Sequence, residues 1–336
     1  MTTRVAVNGF GRMGRAFTRI AHQRDIDVEV VAVNDLGSLP IMGDLLARDS
    51  VFGRFDAKVE VVEGGLVIDG RLVRFLAQPE PSRLPWGNLD VDVVIESTGR
   101  FRTRDAAAAH LTAGAQRVVV SAPCKDADAT FVLGVNDDTF DPDRHHVVSN
   151  ASCTTNCLVP MVKVVQDSFG IEQGFITTVH AYTGDQSLVD GPHKDARRAR
   201  AAAINIVPTS TGAARATSSV VSEVAGRLDG TALRVPVVDG SITDFVALLE
   251  RPTTPEELNL AFHQAAAGPL AGILEYSDAP LVSTDIVGSP ASCVFDSQLT
   301  MVGGGRLVKV FGWYDNEWGY ANRLVELAAL VGERSR

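Results

Sequence analysis

A cysteine at the start of a predicted helix is the residue whose setting best suits covalent chemistry. Segment 149–157 reads Ser-Asn-Ala-Ser-Cys-Thr-Thr-Asn-Cys, and an apolar run with helical spacing begins at Leu158. Small polar residues ahead of such a run are typical helix caps, and a helix N-terminus favours an anion. Because the thiolate is the nucleophilic form of cysteine and a helix start lowers its pKa, Cys153 is the predicted nucleophile, with abundant thiolate expected near neutral pH.

Other uses of these cysteines are open but less favoured. An isolated cysteine is most often a small buried hydrophobe, although the polar surroundings of Cys153 argue against that role. A Cys153–Cys157 metal pair lacks the further ligands that a closed tetrahedral site needs, so no metal is predicted. Four cysteines in 336 residues are too sparse to indicate a disulfide framework.

Composition limits the classes of function. The chain has 336 residues, which suggests about two domains. Its formal net charge of -10 argues against nucleic acid and anionic membranes as partners, since both require a basic surface. No apolar run approaches the roughly 18 residues of a membrane span, and no signal peptide is recognisable. A cytoplasmic location is therefore expected.

A glycine fingerprint near the start of the chain predicts a dinucleotide site. A short apolar strand over 4–8 is followed at once by Gly9-x-Gly11-x-x-Gly14, which opens a helical pattern. Such glycines allow a tight turn, close approach to a pyrophosphate, and close packing of helix on strand. Asp35 lies about 20 residues beyond Gly14, where a carboxylate binds ribose hydroxyls. It would repel a 2′-phosphate, so NAD is favoured over NADP, with a loop-capping aspartate as the alternative.

The order of strands and helices predicts an α/β fold. In the first half they alternate, which is typical of a Rossmann-type, doubly wound dinucleotide-binding domain. The second half predicts an α+β catalytic domain with a mixed or antiparallel sheet. We expect residues 1–152 to form the NAD-binding domain, completed by a C-terminal helix over 316–336, and residues 153–315 to form the catalytic domain.

His180 is a candidate base for the cysteine. It follows an apolar strand pattern over 174–179. A lone histidine at a strand end is more often structural, but a cysteine that must lose its proton gives it a role, because cysteine and histidine act together as nucleophile and base even when far apart in sequence.

The densest cluster of basic residues in this acidic chain lies over 194–200. Arginine forks match phosphate oxygens, and further donors are present in segment 209–212 and at Arg234. Together they predict a phosphorylated substrate, although some of these arginines are expected on a solvated face or at a subunit contact. Near the C-terminus, Asn316 lies in an aromatic segment and is available to the nicotinamide amide; pure aromatic packing is the alternative.

Several motifs, in order along the whole chain, resemble those of phosphorylating glyceraldehyde-3-phosphate dehydrogenases. They are Asn-Gly-Phe-Gly-Arg at 8–12, Ala-Ser-Cys-Thr-Thr-Asn at 151–156, His-Ala-Tyr-Thr at 180–183, Pro-Thr-x-Thr-Gly-Ala-Ala at 208–214 and Trp-Tyr-Asp-Asn-Glu-Trp-Gly at 313–319. Gln78, Gly191, Phe52 and Cys124 depart from residues common in that family, and Gly191 leaves room for NADP use.

The resemblance implies a set of site residues and partners. Cys153 would be the nucleophile and His180 its base. Substrate and phosphate would bind at Ser152, Thr154, Thr183, Arg198, Thr211, Gly212 and Arg234. The cofactor would bind at the fingerprint glycines and at Arg12, Met13, Asp35, Ser121 and Asn316. A homotetramer with segment 182–203 near subunit contacts is implied as well.

The implied reaction oxidises glyceraldehyde 3-phosphate with NAD. A hemithioacetal on Cys153 becomes a thioester, which inorganic phosphate releases as 1,3-bisphosphoglycerate, in glycolysis or its reversal. The alternatives are an erythrose-4-phosphate dehydrogenase, an NADP-preferring paralogue, and a non-enzymatic NAD- or nucleic-acid-binding protein.

Overall fold

The computed structural model describes residues 2–334, which divide into two compact units. The first unit comprises residues 2–131, 137–151 and 321–334, and the second comprises 132–136 and 152–320. The end of the predicted 316–336 helix, Ser335 and Arg336, lies outside the described residues, as does Met1.

A nine-stranded sheet forms the centre of the first unit. The strands are β1 Thr3–Asn8, β2 Val28–Asn34, β3 Arg48–Asp49, β4 Gly53–Arg54, β5 Val59–Val62, β6 Gly65–Ile68, β7 Arg71–Leu76, β8 Val93–Glu96, β9 Arg117–Val120, β10 Ala129–Thr130 and β11 Val147–Ser149. The helices are α1 Arg12–Gln23, α2 Leu39–Ala47, α3 Arg104–Ala107 and α4 Ala109–Thr112. The sheet order is β10-β11-β9-β8-β1-β2-β7-β6-β5, and β3 pairs with β4 separately.

The order of the strands places a ligand crevice at β1. Strand β1 pairs in parallel with β2 on one side and with β8 on the other, and Asn8 lies opposite both Asn34 and Glu96. The strand order therefore reverses at β1, and the carboxyl ends of its neighbours meet there. Open α/β sheets bind ligands at such a switch point. The pairs β5–β6 and β6–β7 are antiparallel.

The second unit contains a mixed sheet. Its strands are β12 Ile171–Ala181, β13 Val207–Ser210, β14 Leu228–Val235, β15 Ser241–Leu249, β16 Leu274–Ser277, β17 Cys293–Asp296, β18 Met301–Gly303 and β19 Leu307–Tyr314. The helices are α5 Cys153–Phe169, α6 Ala213–Val220, α7 Pro255–Ala267, α8 Ser283–Ile286 and α9 Trp318–Arg334, which continues into the first unit. The order is β13-β14-β12-β15-β19-β17-β16, with β18 on β19. The predicted α/β class with a Rossmann-type and a mixed sheet is confirmed.

One local prediction was wrong in detail. The strand expected to end before His180 continues to Ala181, because the parallel partner β14 pairs His180 with Arg234. This pairing brings a base and a cation side by side, which has consequences for the site.

The glycines of the β1–α1 turn have different structural roles. Gly9 has φ +95°, a left-handed conformation that side chains rarely adopt. A Cβ at Gly14 would lie 2.3 Å from the backbone oxygen of Gly9, so this glycine lets α1 pack on the turn. A Cβ at Gly11 would meet no atom within 4 Å. Only Gly11 therefore faces open space.

We predict that Gly14→Ala destabilises the protein by about 1–3 kcal/mol, the usual effect of forcing atoms into a packed region. Gly11→Ala is the control for packing, because its Cβ would meet no atom within 4 Å, and it should cost only about 0.5 kcal/mol, since glycine is preferred to alanine at the N-cap position of α1. Thermal and urea unfolding of both variants measure this difference. Equal stability of the two variants would contradict the packing role of Gly14.

Candidate active site

Helix α5 begins at the predicted nucleophile. The Ser152 hydroxyl accepts a hydrogen bond from Thr155 N at 3.1 Å and caps the helix, so Cys153 is its first residue. Ala151, just before the cap, has φ +54°, a conformation that is strained for a residue with a Cβ. Pro160 lies inside the helix, which nevertheless continues to Phe169. The cysteine is thereby fixed at the positive end of a largely buried helix.

Cys153 and His180 are in contact. The distance from Cys153 Sγ to His180 Nε2 is 3.4 Å. On the other side of the ring, Nδ1 lies 2.7 Å from Ala181 O. Arg234 Nη1 lies 3.2 Å from the same nitrogen, but the shorter contact is to a carbonyl, which only accepts. Nδ1 therefore carries the proton, and Nε2 presents its lone pair to the thiol. The ring is therefore oriented to receive the proton of Cys153.

Burial keeps both groups neutral before reaction. It raises the pKa of the Cys153 thiol to about 11, although the Arg234 charge and hydrogen bonds from Thr154 and the local backbone act in the opposite direction. Burial also lowers the pKa of His180 to about 3, and Arg234 adds to this effect. The expectation of abundant thiolate near neutral pH thus differs from the structure, because desolvation of sulfur outweighs the helix N-terminus. Proton transfer inside the pair creates no net charge.

Tyr314 supports this pair and was missed in the sequence analysis. Its hydroxyl lies 2.9 Å from Thr154 Oγ1 and 2.7 Å from Thr178 Oγ1, and its ring packs edge-on against His180 at 5.9 Å between centroids. It therefore links α5, β12 and β19 directly behind the reactive groups. Its partners are 160 and 136 residues away in the chain, so no local pattern indicates these contacts.

Arg234 lies beside His180 and retains an unpaired hydrogen-bond donor. Its Nη1 donates to Ala181 O at 3.2 Å and to Thr183 Oγ1 at 3.1 Å. Its Nε is buried and has no hydrogen-bond partner among residues 2–334. An unpaired guanidinium N–H close to a threonine hydroxyl suits an oxyanion ligand. Arg234 and Thr183 form the first candidate anion site.

Arg198 forms a second polar cluster, but it is already paired with acids. Its Nε donates to Thr209 Oγ1 at 3.0 Å and lies 3.6 Å from Asp195, and Nη1 contacts Asp185. Of the basic residues at 194–200, Lys194, Arg197 and Arg200 are exposed, whereas Arg198 is half-buried. Thr211 and Gly212 follow β13, where Gly212 precedes the first residue of α6. The second candidate anion site is therefore a hydroxyl-rich cluster with a partly neutralised arginine.

The first unit contains a cavity that matches the predicted cofactor site. It has a volume of about 240 Å³, and its lining includes Gly9, Gly11, Asp35, Gln78 and Thr98. Helix α1 begins there without a side-chain cap, and Gly11 leaves the space in front of it open. Free N–H groups at a helix start suit a pyrophosphate. These residues fit a dinucleotide.

The remaining residues predicted to bind the cofactor take several positions. Asp35 accepts hydrogen bonds from Phe10 N at 2.7 Å and Gly37 N at 2.8 Å, which fixes a carboxylate that retains acceptor capacity. Arg12 pairs with Asp49 at 2.9 Å and lies over the ring of Phe52. Met13 is half-buried in α1, and Ser121 is half-buried just after β9. Neither Met13 nor Ser121 lines the 240 Å³ cavity.

A buried glutamate holds the two turns of this cavity. Glu96 accepts hydrogen bonds from Asn8 Nδ2 at 2.6 Å and from Thr98 N at 2.8 Å. It also lies 3.1 Å from His110 Nε2, while Trp86 Nε1 donates to His110 Nδ1 at 3.0 Å. Since the indole N–H only donates, His110 carries its proton on Nε2 and donates to Glu96. Sequence reasoning missed this network, which connects the end of β1 to the end of β8.

Comparison with known proteins identifies the family. The family model for glyceraldehyde 3-phosphate dehydrogenase, NAD binding domain, matches residues 3–104, and the model for glyceraldehyde 3-phosphate dehydrogenase, C-terminal domain, matches residues 152–316. The chain belongs to the glyceraldehyde-3-phosphate dehydrogenase family. The resemblance found in the sequence is confirmed.

Full-length relatives support the same assignment. Glyceraldehyde-3-phosphate dehydrogenase 2 of Streptomyces arenae is 57% identical over 332 residues, with 99% of each chain covered. The glyceraldehyde-3-phosphate dehydrogenase of Mycobacterium avium is 54% identical over 339 residues, and that of Geobacillus stearothermophilus is 52% identical over 334 residues, again with 99% of each chain covered. The family likeness therefore extends over both units.

Neither a metal site nor a membrane span is supported within the described residues. Within residues 2–334, no group of three or more histidine, cysteine or acidic side chains is arranged to hold a metal ion. Over the same range, no helix is both long and apolar enough to cross a membrane. All four cysteines are free thiols.

We predict that Arg234→Met slows alkylation of Cys153 by iodoacetamide. The positive charge of Arg234 lowers the pKa of Cys153, so its removal raises that pKa and shifts the pH profile of alkylation to higher pH. A nearby opposite charge changes a pKa by about 1–3 units, so the rate at a fixed pH should fall about tenfold or more.

The matched control is Arg215→Met, which removes an exposed arginine of α6 and should leave the profile unchanged. An Arg234→Met profile that superposes on the wild-type profile would show that this charge does not act on the thiol.

Proposed function

We propose that this chain oxidises glyceraldehyde 3-phosphate with NAD and inorganic phosphate to give 1,3-bisphosphoglycerate. The observation that carries the proposal is the contact between Cys153 and His180 at the capped start of α5, with anion-binding groups nearby. The curated relatives are named as glyceraldehyde-3-phosphate dehydrogenases. Erythrose-4-phosphate oxidation and a non-enzymatic role are not favoured.

Cys153 and His180 carry the covalent steps. As Cys153 Sγ attacks the aldehyde carbon, His180 Nε2 takes the thiol proton and returns it to the carbonyl oxygen, which gives a hemithioacetal. Backbone N–H groups at the start of α5 stabilise the developing oxyanion. His180 then removes the hydroxyl proton as the carbon loses hydride and becomes a thioester. Bound NAD supplies the hydride acceptor.

Release requires phosphate and the same histidine. Inorganic phosphate attacks the thioester carbon, the bond from carbon to Cys153 Sγ breaks, and protonated His180 returns its proton to the sulfur. Covalent catalysis of this kind divides one difficult step into easier ones. The reaction therefore needs room for the phosphate group of the substrate and for a second phosphate.

We assign these two anions to the two polar clusters of the second unit. Arg234 and Thr183 have donors available for one phosphate. The cluster of Arg198, Thr211 and Gly212 would bind the other. Ser152 and Thr154, on either side of Cys153, complete the substrate-binding set.

We assign NAD binding to the first unit and to Asn316. The glycines of the β1–α1 turn, with Arg12 and Met13 at the start of α1, would bind the pyrophosphate, and Asp35 would bind the ribose. Ser121 and Asn316 would bind the nicotinamide end. In this proposal residues 1–152 with the helix of 316–336 form the NAD-binding domain, and 153–315 the catalytic domain.

Exposed apolar side chains support a homotetramer. Leu188 is 81% exposed and Ile204 is 80% exposed, in the connection between β12 and β13, and Val189 and Ile206 are exposed as well. Several large apolar side chains exposed in one connection are typical of a protein interface. We propose that segment 182–203 lies near subunit contacts of a cytoplasmic enzyme that uses neither nucleic acid nor membranes as partners.

The first test is the phosphate dependence of NADH formation from glyceraldehyde 3-phosphate and NAD. Sustained turnover only with phosphate is expected, because the thioester otherwise stays on Cys153. Equal turnover without phosphate would indicate hydrolysis of the thioester. No NADH formation at all would contradict the proposed substrate, and a parallel assay with erythrose 4-phosphate tests the alternative.

We predict that Cys153→Ser abolishes turnover and leaves NAD affinity largely intact, because a serine hydroxyl is a poor nucleophile beside a neutral histidine. Turnover and calorimetric NAD binding are measured on the same preparation. Cys124→Ser, which removes a free cysteine of the first unit, is the control. A Cys153→Ser enzyme with wild-type rates would remove Cys153 from the mechanism.

We predict that Asp35→Ala relaxes the preference for NAD over NADP, because a carboxylate repels the 2′-phosphate of NADP. The ratio of kcat/KM for the two cofactors is the measurement, and it should fall about tenfold or more, as expected when one charge repulsion is removed. An unchanged ratio would contradict the role of Asp35 in cofactor choice.

A further inference from the structure

Two carboxyl groups are buried against each other in the second unit. Asp239 lies just before β15 and Asp315 just after β19, and each is 1% exposed. Their side chains are hydrogen-bonded to one another. Two carboxylates cannot both accept a hydrogen bond unless a proton lies between them, so the contact itself requires one proton on the pair.

The surroundings determine which carboxyl carries the proton. Asp315 accepts three backbone hydrogen bonds, from Gly288 N at 2.7 Å, Glu317 N at 2.8 Å and Trp318 N at 2.6 Å at the start of α9. Such donors and a helix start stabilise a carboxylate. Asp239 accepts one, from Gly240 N at 2.9 Å.

The second oxygen of Asp239 confirms this assignment. As an acceptor, Asp239 Oδ2 is buried without a donor among residues 2–334. As a hydroxyl it donates to Asp315, and its hydrogen-bonding capacity is satisfied. Burial, the negative charge of Asp315 and that of Glu317 raise the pKa of Asp239 to about 8. Asp239 therefore holds the proton, and Asp315 the charge.

The same two chain segments meet at a second hydrogen bond, which involves Asn316. Ser241 Oγ donates to Asn316 Oδ1 at 2.6 Å and accepts from Ala181 N at 3.0 Å. Because its oxygen is occupied by Ser241, Asn316 presents its NH₂ group as a donor. Ala181 in turn accepts from His180 Nδ1 at 2.7 Å. Hydrogen bonds through Ser241 and Ala181 therefore connect Asn316 to the base, and the peptide bond between Asp315 and Asn316 connects Asn316 to the carboxyl pair.

We propose that Asp239 is a positioning residue: its protonated carboxyl binds the Asp315 carboxylate and thereby holds Asn316 in the orientation that binds the carboxamide of NAD. This inference rests on the proposed function. When Asp239 loses its proton, two carboxylates face each other in a buried space, the segments 239–241 and 315–316 separate, and Asn316 loses its fixed orientation.

The proposal predicts a pH dependence of NAD affinity. The charged groups that act on Asp239 are Asp315, between β19 and α9, and Glu317, ahead of α9. The turns before β15 and after α8 contribute the backbone N–H groups of Gly240 and Gly288, which carry no charge. Both side-chain charges are negative and favour the protonated form of Asp239. NAD should bind well while Asp239 is protonated and more weakly as the pH rises through its pKa.

The experiment is calorimetric titration of the full-length Cys153→Ser protein with NAD, at a series of pH values from about 7 to about 9, on either side of the point where the pair loses its proton. The Cys153→Ser background removes the thiol as a titrating group. The dissociation constant should rise about tenfold over this range, the equivalent of one hydrogen bond.

Two variants of Asp239 distinguish the effect of its proton on NAD binding from the effect of its side chain. Asp239→Asn keeps a donor towards Asp315 but has no proton to lose, so NAD should bind tightly at every pH. Asp239→Ala removes the donor, so binding should be weak at every pH, close to the alkaline wild-type value. Asp244→Asn, on β15 but paired with Lys309 at a separate ion pair, is the matched control and should keep the wild-type profile.

Two results would overturn the inference, and both can be distinguished from a result that would contradict the proposed function. If Asp239→Asn retained the wild-type pH dependence, or if Asp239→Ala bound NAD like wild type at about pH 7, Asp239 would not position Asn316. Circular dichroism of each variant at each pH shows that the folded protein is being measured. If no variant, nor the parent protein, bound NAD at any pH, the assignment of the cofactor itself would be wrong.

Discussion

The contact between a half-buried thiol and a buried neutral imidazole is the interaction on which the rest of this structure depends. Desolvation opposes charge on either Cys153 or His180 taken alone. Transfer of the proton from sulfur to nitrogen creates an ion pair whose members stabilise each other, so the pair can react together. The surrounding residues therefore have to hold a 3.4 Å contact and stabilise charge only as it develops.

Both units position their sites through buried polar groups with defined protonation states. In the second unit, the proton on His180 Nδ1 is fixed by Ala181 O, and Tyr314 holds the ring from the side. In the first unit, Trp86 fixes the proton of His110, which bonds to the carboxylate of Glu96. Buried polar groups must be paired, so each network permits few arrangements, and the turns or rings it supports become rigid.

The sequence predicted the groups that are marked by local pattern. The capping residues before α5 identified Cys153, and the glycine spacing after β1 identified the dinucleotide turn, because helix starts and tight turns are determined by neighbouring residues. Partners that meet only in the folded chain left no such pattern. The hydroxyl of Tyr314 and the carboxyl of Asp239 are examples, since their contacts join segments that are far apart in the chain.

Electrostatic expectations were the least predictable from sequence. The helix start was expected to make the Cys153 thiolate abundant, but the degree of burial determines the larger effect and cannot be read from the chain. The basic cluster at 194–200 was expected to be an anion site, yet Arg198 also contacts Asp185 and Asp195. In both cases the local sequence predicted the direction of the electrostatic effect correctly, and residues brought close by folding changed its magnitude.

Trapping of the covalent intermediate tests the central claim most directly. The protein is mixed with glyceraldehyde 3-phosphate and NAD without phosphate, quenched in acid, digested and analysed by mass spectrometry. The account predicts a 3-phosphoglyceroyl group on the peptide that contains Cys153, in proportion to the NADH formed, and its loss when phosphate is added before quenching. NADH formation with an unmodified Cys153, or with the acyl group on another residue, would contradict it.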